Sequence, residues 1–406
     1  MDEEKLQQRR QERQERRQAQ KRKLIIKLAI AAMALVLVAV LIFVIARPGD
    51  EPSQNAETTV DPDRTSVIHV AAVGDLNVTQ KLVNSAGVDQ NYGNVFLDVA
   101  HLLADADISV MNFEGVMVGE PYGESKSAPL SMMQALSAAG VDLVQMANSY
   151  SIYKGVSGLA KTIENIRAAG MEPLGAYDSN EARERSGGYV LCEAQGVKVA
   201  FVAFTKGMDG MALPAGSEKC VNVLYQDYAS TYKQVDTEGI TAVLNAAKEE
   251  KPDLIIAMVH WGSEFNDTLS DSQTQIKNLL HNNGVDAVIG THSHYVQAME
   301  LTDGKFTAYS LGDFAGDAER AGSEYSVVLD LEITKDKKTG KTQITNFSYT
   351  PIFTVAEEDQ PTRVVRIQEA MTAFDGGYIE KISQGTYDKM KYALERIEKR
   401  INPEEE

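Results

Sequence analysis

Three of the six histidines in the sequence lie where an apolar run ends. His292 and His294 follow the apolar segment 285–289, and His260 follows the run 254–259. Residues two apart in an extended segment point the same way, so the imidazoles of His292 and His294 can face one point. Imidazole nitrogens are favoured ligands of borderline divalent metals. A single such histidine is more often a polar residue at the end of a sheet, but three together indicate a metal site.

Two carboxylates also follow apolar runs. Asp75 comes after the run 67–73 and a glycine, and Glu114 closely follows the run 108–111. In open α/β sheets, ligands bind outside the carboxyl ends of the strands, so these carboxylates can meet the three histidines in one crevice. We therefore expect a site of mixed carboxylate and imidazole ligands.

Taken in chain order, these motifs resemble the CapA family of bacterial capsule-synthesis proteins, which is associated with poly-γ-glutamate production. The matching segments are residues 74–75, 112–115, 147–148, 260–264, 290–297 and 309–314. The resemblance implies an α/β fold, namely a layered metallophosphatase-like (calcineurin-like phosphoesterase) β-sandwich flanked by helices. It also implies five metal ligands, with Glu114 as a plausible bridge between two ions: Asp75, Glu114, His260, His292 and His294.

The bound ion would be a divalent metal such as Mn, Zn or Fe. Two such ions can activate a water and stabilise the oxygens of a phosphoester, whereas a single ion can polarise a carbonyl. His260 is therefore a candidate catalytic residue as well as a candidate ligand. An impaired enzyme, a single-metal enzyme and a binding module are all open at this stage.

One motif differs from the family pattern of Ala-Asn-Asn-His followed by Asp. Here Ser149 stands at the position of the amide ligand, Tyr150 at that of the histidine and Tyr153 at that of the aspartate. A tyrosine with a pKa of about 10 is a poor proton donor beside a histidine at about 6.5. We expect weak hydrolysis, with Tyr150 as a second catalytic candidate and Asn148 as a substitute metal ligand.

The segment 28–46 has no charged residue and is long enough for a helix that crosses a bilayer. Basic side chains are in excess over residues 1–27, and the positive-inside rule places such a segment in the cytoplasm. We predict a single-pass cell-membrane protein with a cytoplasmic N-terminus, a transmembrane helix at 28–46 and a large extracellular domain. A cleaved signal peptide is the alternative, but the run is long for one and lacks a small-x-small cleavage pattern.

A polar linker is predicted at residues 47–64, and strand-like and helical runs alternate after it. This pattern predicts one large domain over 65–355, with a hairpin within 187–205, followed by a helical extension over 356–406. The extension ends in an apolar stripe that we expect to pack on the domain. The sequence leaves open whether Cys192 and Cys220 form a disulfide.

The net charge of −18 makes nucleic acid an improbable partner, because an acidic surface repels phosphate backbones. The expected partners are the cell membrane, poly-γ-glutamate or another surface polymer, and membrane synthase subunits. Two functions remain. The family implies a role in capsule or poly-γ-glutamate synthesis or export, and the fold alone would also allow an extracellular metal-dependent phosphoesterase.

Overall fold

The computed structural model describes residues 64–316, 320–357, 360–377 and 382–402. The predicted cytoplasmic segment, transmembrane helix and nearly all of the linker lie outside these residues. Among the helices of the described ranges, none is long and apolar enough to cross a membrane.

Fourteen strands are present in the described ranges. They are β1 (Thr65–Asn77), β2 (Ile108–Glu114), β3 (Leu143–Gln145), β4 (Glu172–Leu174), β5 (Tyr189–Ala194), β6 (Val197–Thr205), β7 (Leu254–His260), β8 (Ala287–Thr291), β9 (Met299–Thr302), β10 (Lys305–Ala308), β11 (Asp313–Ala315), β12 (Tyr325–Asp336), β13 (Thr342–Val355) and β14 (Arg363–Arg366).

Ten helices connect or flank these strands in the same ranges. They are α1 (Gln80–Asn84), α2 (Gly93–Phe96), α3 (Ala100–Ala104), α4 (Leu130–Ala139), α5 (Gly155–Ala168), α6 (Asn180–Ser186), α7 (Thr237–Glu249), α8 (Asp271–Asn282), α9 (Ile367–Asp375) and α10 (Gln384–Ile401).

The strands form two mixed sheets, which confirms the α/β class predicted from the sequence. The first sheet has the order β14-β13-β12-β1-β2-β3-β4, with β11 also paired to β1, and the second has the order β5-β6-β7-β8-β10-β9. Strands β1 to β4 are parallel to one another, and so are β6, β7, β8 and β10. Because parallel strands end at the same edge of a sheet, the loops that leave them are brought together.

The second sheet is buried on both faces. Along β6, Val199, Phe201 and Ala203 belong to the core shared with the first sheet, whereas the residues between them pack against α7 and α8. Side chains alternate between the two faces of a strand, so one apolar run can serve two cores. This arrangement explains why the sequence of β6 is almost continuously apolar.

The predicted hairpin within 187–205 is the antiparallel pair β5 and β6, with a turn at Gln195 and Gly196. Cys192 lies in β5, and both it and Cys220 are buried without a disulfide bond between them.

The predicted C-terminal extension contains a strand in addition to its helices. Strand β14 pairs with β13 and becomes the edge of the first sheet, and α9 follows it directly. In α10, Met390, Ile397 and Ile401 are buried in the main core. The apolar stripe read from the sequence therefore packs on the domain, as expected for a helix with one apolar face.

Candidate metal centre

One candidate metal site is formed by Glu114, His260 and His292, which we call the histidine cluster. Glu114 is the last residue of β2 in the first sheet, and His260 is the last residue of β7 in the second sheet. His292 directly follows β8, the neighbour of β7. The ligand atoms of the three side chains all lie within 4.8 Å of one another. His260 Nε2 lies 3.4 Å from a Glu114 oxygen. All three residues are buried.

A second group, the aspartate cluster, is formed by Asp75, His294 and Asp313. Strand pairing between β1 and β11 places Asp75 beside Asp313. His294 Nδ1 lies 2.7 Å from an Asp313 oxygen and 3.4 Å from an Asp75 oxygen. These ligand atoms are also within 4.8 Å of one another and buried. The geometry therefore offers two adjacent three-residue sites.

Asn112 connects the two clusters. Its Nδ2 donates a hydrogen bond of 2.7 Å to Asp75 and a longer one of 3.4 Å to Glu114. Asn112 lies in β2 and is fully buried. A single amide thus fixes one oxygen of each carboxylate, and the other oxygen of Asp75 accepts from the amide of His292 at 3.0 Å.

Burial makes the carboxylates of the centre costly to ionise. It raises the pKa of Glu114 well above its usual value, and the negative charge of Asp75 raises it further. Burial also raises the pKa of Asp75, to about 6, although the nearby His294 opposes this effect. Two close carboxylates in a site of low polarity require a compensating positive charge. A divalent cation would supply it.

The histidines divide into two types. Burial lowers the pKa of His260 and of His292 well below the usual value, so both are neutral and present a nitrogen lone pair. Burial also acts to lower the pKa of His294, but the charge of Asp313, its hydrogen bond and the other carboxylates together raise that pKa to about 11. Without a cation, protonated His294 therefore balances part of the negative charge of the aspartate cluster.

The residues present fit a divalent transition ion. Within the described part of the chain, both ring nitrogens of His292 are buried and have no hydrogen-bond partner. A buried polar atom without a partner is unfavourable, and a metal bond would satisfy one of these nitrogens. Imidazole and carboxylate donors suit Zn, Mn and Fe.

The backbone at the two C-terminal histidines is strained. His292 has φ of 89° and His294 has φ of 59°, a region that costs a residue with a side chain of the order of 1–3 kcal/mol. The amide of His292 donates to Asp75 at 3.0 Å, and the ring of Phe265 stacks on that of His294 with centroids 4.9 Å apart. These contacts hold the two imidazoles facing the carboxylates despite the strain.

Asn148, which we predicted as a substitute ligand, does not face His260 in this structure. Its Nδ2 donates to Asn112 and to the carbonyl of Phe113, and its Oδ1 accepts from the amide of Tyr150 at 2.9 Å. The neighbouring Ser149 faces His260 instead, with its Oγ 3.1 Å from Nε2. Asn148 therefore contacts the site only through Asn112, whose side-chain oxygen accepts its hydrogen bond.

Tyr150 lines a cavity of about 540 Å³ that also reaches His294 and Asp313. Burial, followed by the negative charge of Glu114, raises the pKa of Tyr150 far above its usual value. The phenol is therefore neutral near pH 7 and can donate a hydrogen bond, but it is a weak acid. This position strengthens the prediction that Tyr150 is a poor replacement for a histidine.

The sequence-based ligands Asp75, Glu114, His260, His292 and His294 all lie in one of the two clusters. Asp313 is the additional member that was not predicted. It follows Gly312 after an apolar run, and this Gly-Asp pair repeats the pattern of Gly74 and Asp75. The repeated dipeptide was the available signal, but a lone Gly-Asp is also a common turn and carries little information.

The chain belongs to the family described as bacterial capsule synthesis protein PGA_cap, which matches residues 69–318. This match confirms the resemblance to the CapA family noted from the motifs.

Among curated relatives, the PGA biosynthesis protein CapA of Bacillus subtilis is 22% identical over 323 residues, covering 77% of this chain and 79% of the relative. The capsule biosynthesis protein CapA of Bacillus anthracis is 25% identical and covers 60% of this chain, which spans 59% of that relative. A probable polyglutamine synthesis accessory protein of Mycobacterium tuberculosis is also 25% identical, over 56% of this chain and 60% of its own length.

Similar solved structures include the calcineurin-like phosphoesterase YfkN from Bacillus subtilis, at 14% identity and a TM-score of 0.46, with 82% of this chain and 98% of that chain covered. A putative 5'-nucleotidase from Staphylococcus aureus has 12% identity and a TM-score of 0.45, with 81% of this chain and 58% of that chain covered. Both TM-scores are below 0.5, so no conclusion about activity follows from them.

Replacing both C-terminal histidines tests the metal centre. The change His292→Ala with His294→Ala removes one nitrogen ligand from each cluster, so we expect the full-length chain, purified in detergent and loaded with Mn or Zn, to lose its bound metal. Elemental analysis measures the result. The control is His101→Ala, an exposed histidine in α3, which should leave the metal content unchanged. Equal metal in the wild-type and double-variant chains would contradict this assignment.

Proposed function

We propose that this protein is a membrane-anchored, extracellular component of capsule or poly-γ-glutamate synthesis or export, and that it acts with a divalent metal held by the two clusters. Membership of the capsule-synthesis family supports the biological role. The observation that carries the metal proposal is the pair of unpartnered, buried ring nitrogens of His292 beside Glu114 and His260. We expect the working partners to be the polymer and membrane synthase subunits.

In this proposal each part of the centre has a physical task. Glu114, His260 and His292 would hold one ion, and the aspartate cluster would hold a second ion or retain a proton on His294. Asn112 fixes the two carboxylates, and Tyr150 offers a neutral hydrogen-bond donor to a ligand in the cavity. When bound, the ion would supply polarisation of a ligand oxygen or activation of a water.

The topology proposal depends on the uncharged segment 28–46 and the basic residues ahead of it. With the N-terminus in the cytoplasm, the domain that starts near residue 65 lies outside the cell. The −18 net charge of the whole chain, despite its basic start, means that the segment after 46 is strongly acidic. Such a domain is repelled by anionic lipid, so the membrane contact is assigned to the N-terminal segment.

Protease treatment of intact protoplasts tests this topology. If the domain is outside, added protease should remove it while a tag placed before residue 28 stays protected by the membrane. Immunoblotting for the two ends measures the outcome, and lysed protoplasts serve as the control in which both ends are digested. Full protection of the domain in intact protoplasts would place it in the cytoplasm and exclude an extracellular role.

Complementation of a strain that lacks this gene tests the capsule role. The wild-type gene should restore the surface polymer, whereas His292→Ala with His294→Ala should leave it reduced by about tenfold or more, because the metal centre has lost a ligand in each cluster. Surface polymer is measured as acid-released glutamate, and immunoblotting confirms equal protein. His101→Ala is the matched control. Undiminished polymer with the double variant would exclude a metal-dependent role in capsule formation.

An extracellular phosphoesterase is the second candidate, and the two adjacent clusters favour it. Such an arrangement can stabilise both the attacking and the leaving oxygens of a phosphoester. The observations at Ser149 and Tyr150 argue against efficient turnover. Ser149 places a hydroxyl where an amide ligand is expected, and Tyr150 is too weak an acid to protonate a leaving group readily.

Restoring the family residues tests whether this motif limits hydrolysis. We expect negligible phosphodiesterase turnover in the native chain and an increase of about tenfold or more in Ser149→Asn with Tyr150→His, because a positioned general acid contributes roughly a hundredfold. Release of p-nitrophenol from a bis-ester measures the rate. Tyr392→His, at an exposed tyrosine of α10, is the control. Robust native hydrolysis without a gain in the restored variant would make the phosphoesterase the better proposal.

A further inference from the structure

We propose that Lys126 and Arg320 form an oxyanion-binding subsite in the cavity beside the aspartate cluster. Both residues line the cavity of about 540 Å³ that reaches His294 and Asp313. The subsite would take a carboxylate or phosphate group of a ligand whose other part reaches the metal centre. This inference rests on the proposed function, because it identifies the class of ligand that the same centre receives.

Lys126 is held at the cavity by its backbone. Its amide donates to the carbonyl of Gly123 at 2.8 Å, and its carbonyl accepts from the amide of Val116 at 2.8 Å. The residue has φ of 60°, a left-handed conformation that is unfavourable for a side chain and that often marks a functional position. The loop therefore fixes where the lysine side chain begins.

The ammonium of Lys126 lies 5.0 Å from the centroid of the Tyr150 ring. Within the described residues it makes no hydrogen bond or ion pair. A cation over an aromatic face gains a modest attraction and keeps its hydrogen-bond donors available. Lys126 is thus placed next to the metal centre with donors that an incoming anion can use.

The guanidinium of Arg320 lies over the ring of Phe265, which also lines the cavity. Its guanidinium carbon is 4.0 Å from the centroid of the Phe265 ring, and that ring stacks in turn on His294. Among the described residues, no carboxylate pairs with this guanidinium. A planar guanidinium that is already stacked loses less freedom when it binds both oxygens of a carboxylate or phosphate.

Lys126 and Arg320 differ from basic residues that are held in surface ion pairs. Several basic side chains elsewhere in the described residues form ion pairs, as Lys161 does with Glu164 and Lys219 with Glu184. The cavity is also lined by the carboxylates of Glu124, Glu264 and Asp313, and Glu124 and Glu264 are exposed, as Arg320 is. With two divalent ions at the centre, their positive charge would exceed that of the three carboxylates, and the inner end of the cavity would favour an anion.

The cavity size restricts the ligand. A volume of about 540 Å³ accommodates a small molecule or a few units of a chain, within the range usual for ligand sites. A γ-linked glutamate oligomer carries one carboxylate per unit, and inorganic phosphate offers the same oxygen chemistry without the chain. Both probes contain the group that Lys126 and Arg320 would bind, so comparing them identifies the source of the oxyanion.

Calorimetric titration of the metal-loaded, full-length chain tests the subsite. We expect a short γ-linked glutamate oligomer or inorganic phosphate to bind, and Lys126→Gln and Arg320→Gln each to weaken that binding by about tenfold, because each removes a charge-assisted hydrogen bond. Lys126→Arg should retain most of the affinity, since it keeps the charge. Lys161→Gln and Arg185→Gln, at exposed positions outside the cavity, are the controls.

Each result is informative. Stronger binding of the oligomer than of phosphate would identify a polymer carboxylate, and the reverse would identify a phosphate. Absence of binding by both probes at millimolar concentration, or equal affinities in wild-type, Lys126→Gln and Arg320→Gln chains, would overturn the subsite. The titration is repeated after metal removal by a chelator. If elemental analysis finds no metal in the loaded chain while anion binding still depends on Lys126, the metal-dependent function is contradicted and the subsite stands.

Discussion

The centre depends on the close contact between the end of β1 and the loop before β11. A Cβ atom added at Gly74 would lie 1.8 Å from the carbonyl oxygen of Gly312, so only glycine allows this approach. The amide of Asp75 donates to the same carbonyl at 3.0 Å. The contact brings Asp75 next to Asp313 and fixes the position of one cluster relative to the sheet. A similar contact occurs at Gly290, where an added Cβ would lie 1.9 Å from the carbonyl oxygen of Tyr309.

This packing forces acidic groups together in a buried place, and the remaining features of the centre compensate for it. Asn112 donates to Asp75 and Glu114, and protonated His294 pairs with Asp313. These interactions reduce the charge repulsion but leave His292 without a partner for either ring nitrogen. Apolar residues at these positions would give a more stable protein, since buried charges rarely increase stability. The proposed divalent cation would compensate for these buried carboxylates and would give His292 a partner.

Much of the centre was predictable because it follows the ends of parallel strands. Asp75 and Glu114 follow apolar strands that are neighbours in the first sheet, and His260 and His292 follow apolar strands that are neighbours in the second, so each pair lies at one edge of its sheet. Asp313 was missed because its place depends on the pairing of β11 with β1, which local patterns do not encode. Which of Asn148 and Ser149 faces His260 was also beyond the sequence, because it depends on how each side chain turns. Likewise, β14 was read as part of a helical extension because its four residues become a strand only through pairing with β13.

Ser149 and Tyr150, which differ from the family motif, affect the chemistry of the centre more than its geometry. Ser149 still contacts His260, and Tyr150 still faces the cavity, so the centre keeps its ligands and its access. What is weakened is the delivery of a proton to a leaving group, because burial and Glu114 raise the pKa of the phenol. Holding an anion needs charge and donors, whereas cleaving an ester also needs an acid of suitable pKa. This contrast is why we propose that the centre binds an anionic ligand rather than hydrolysing it rapidly.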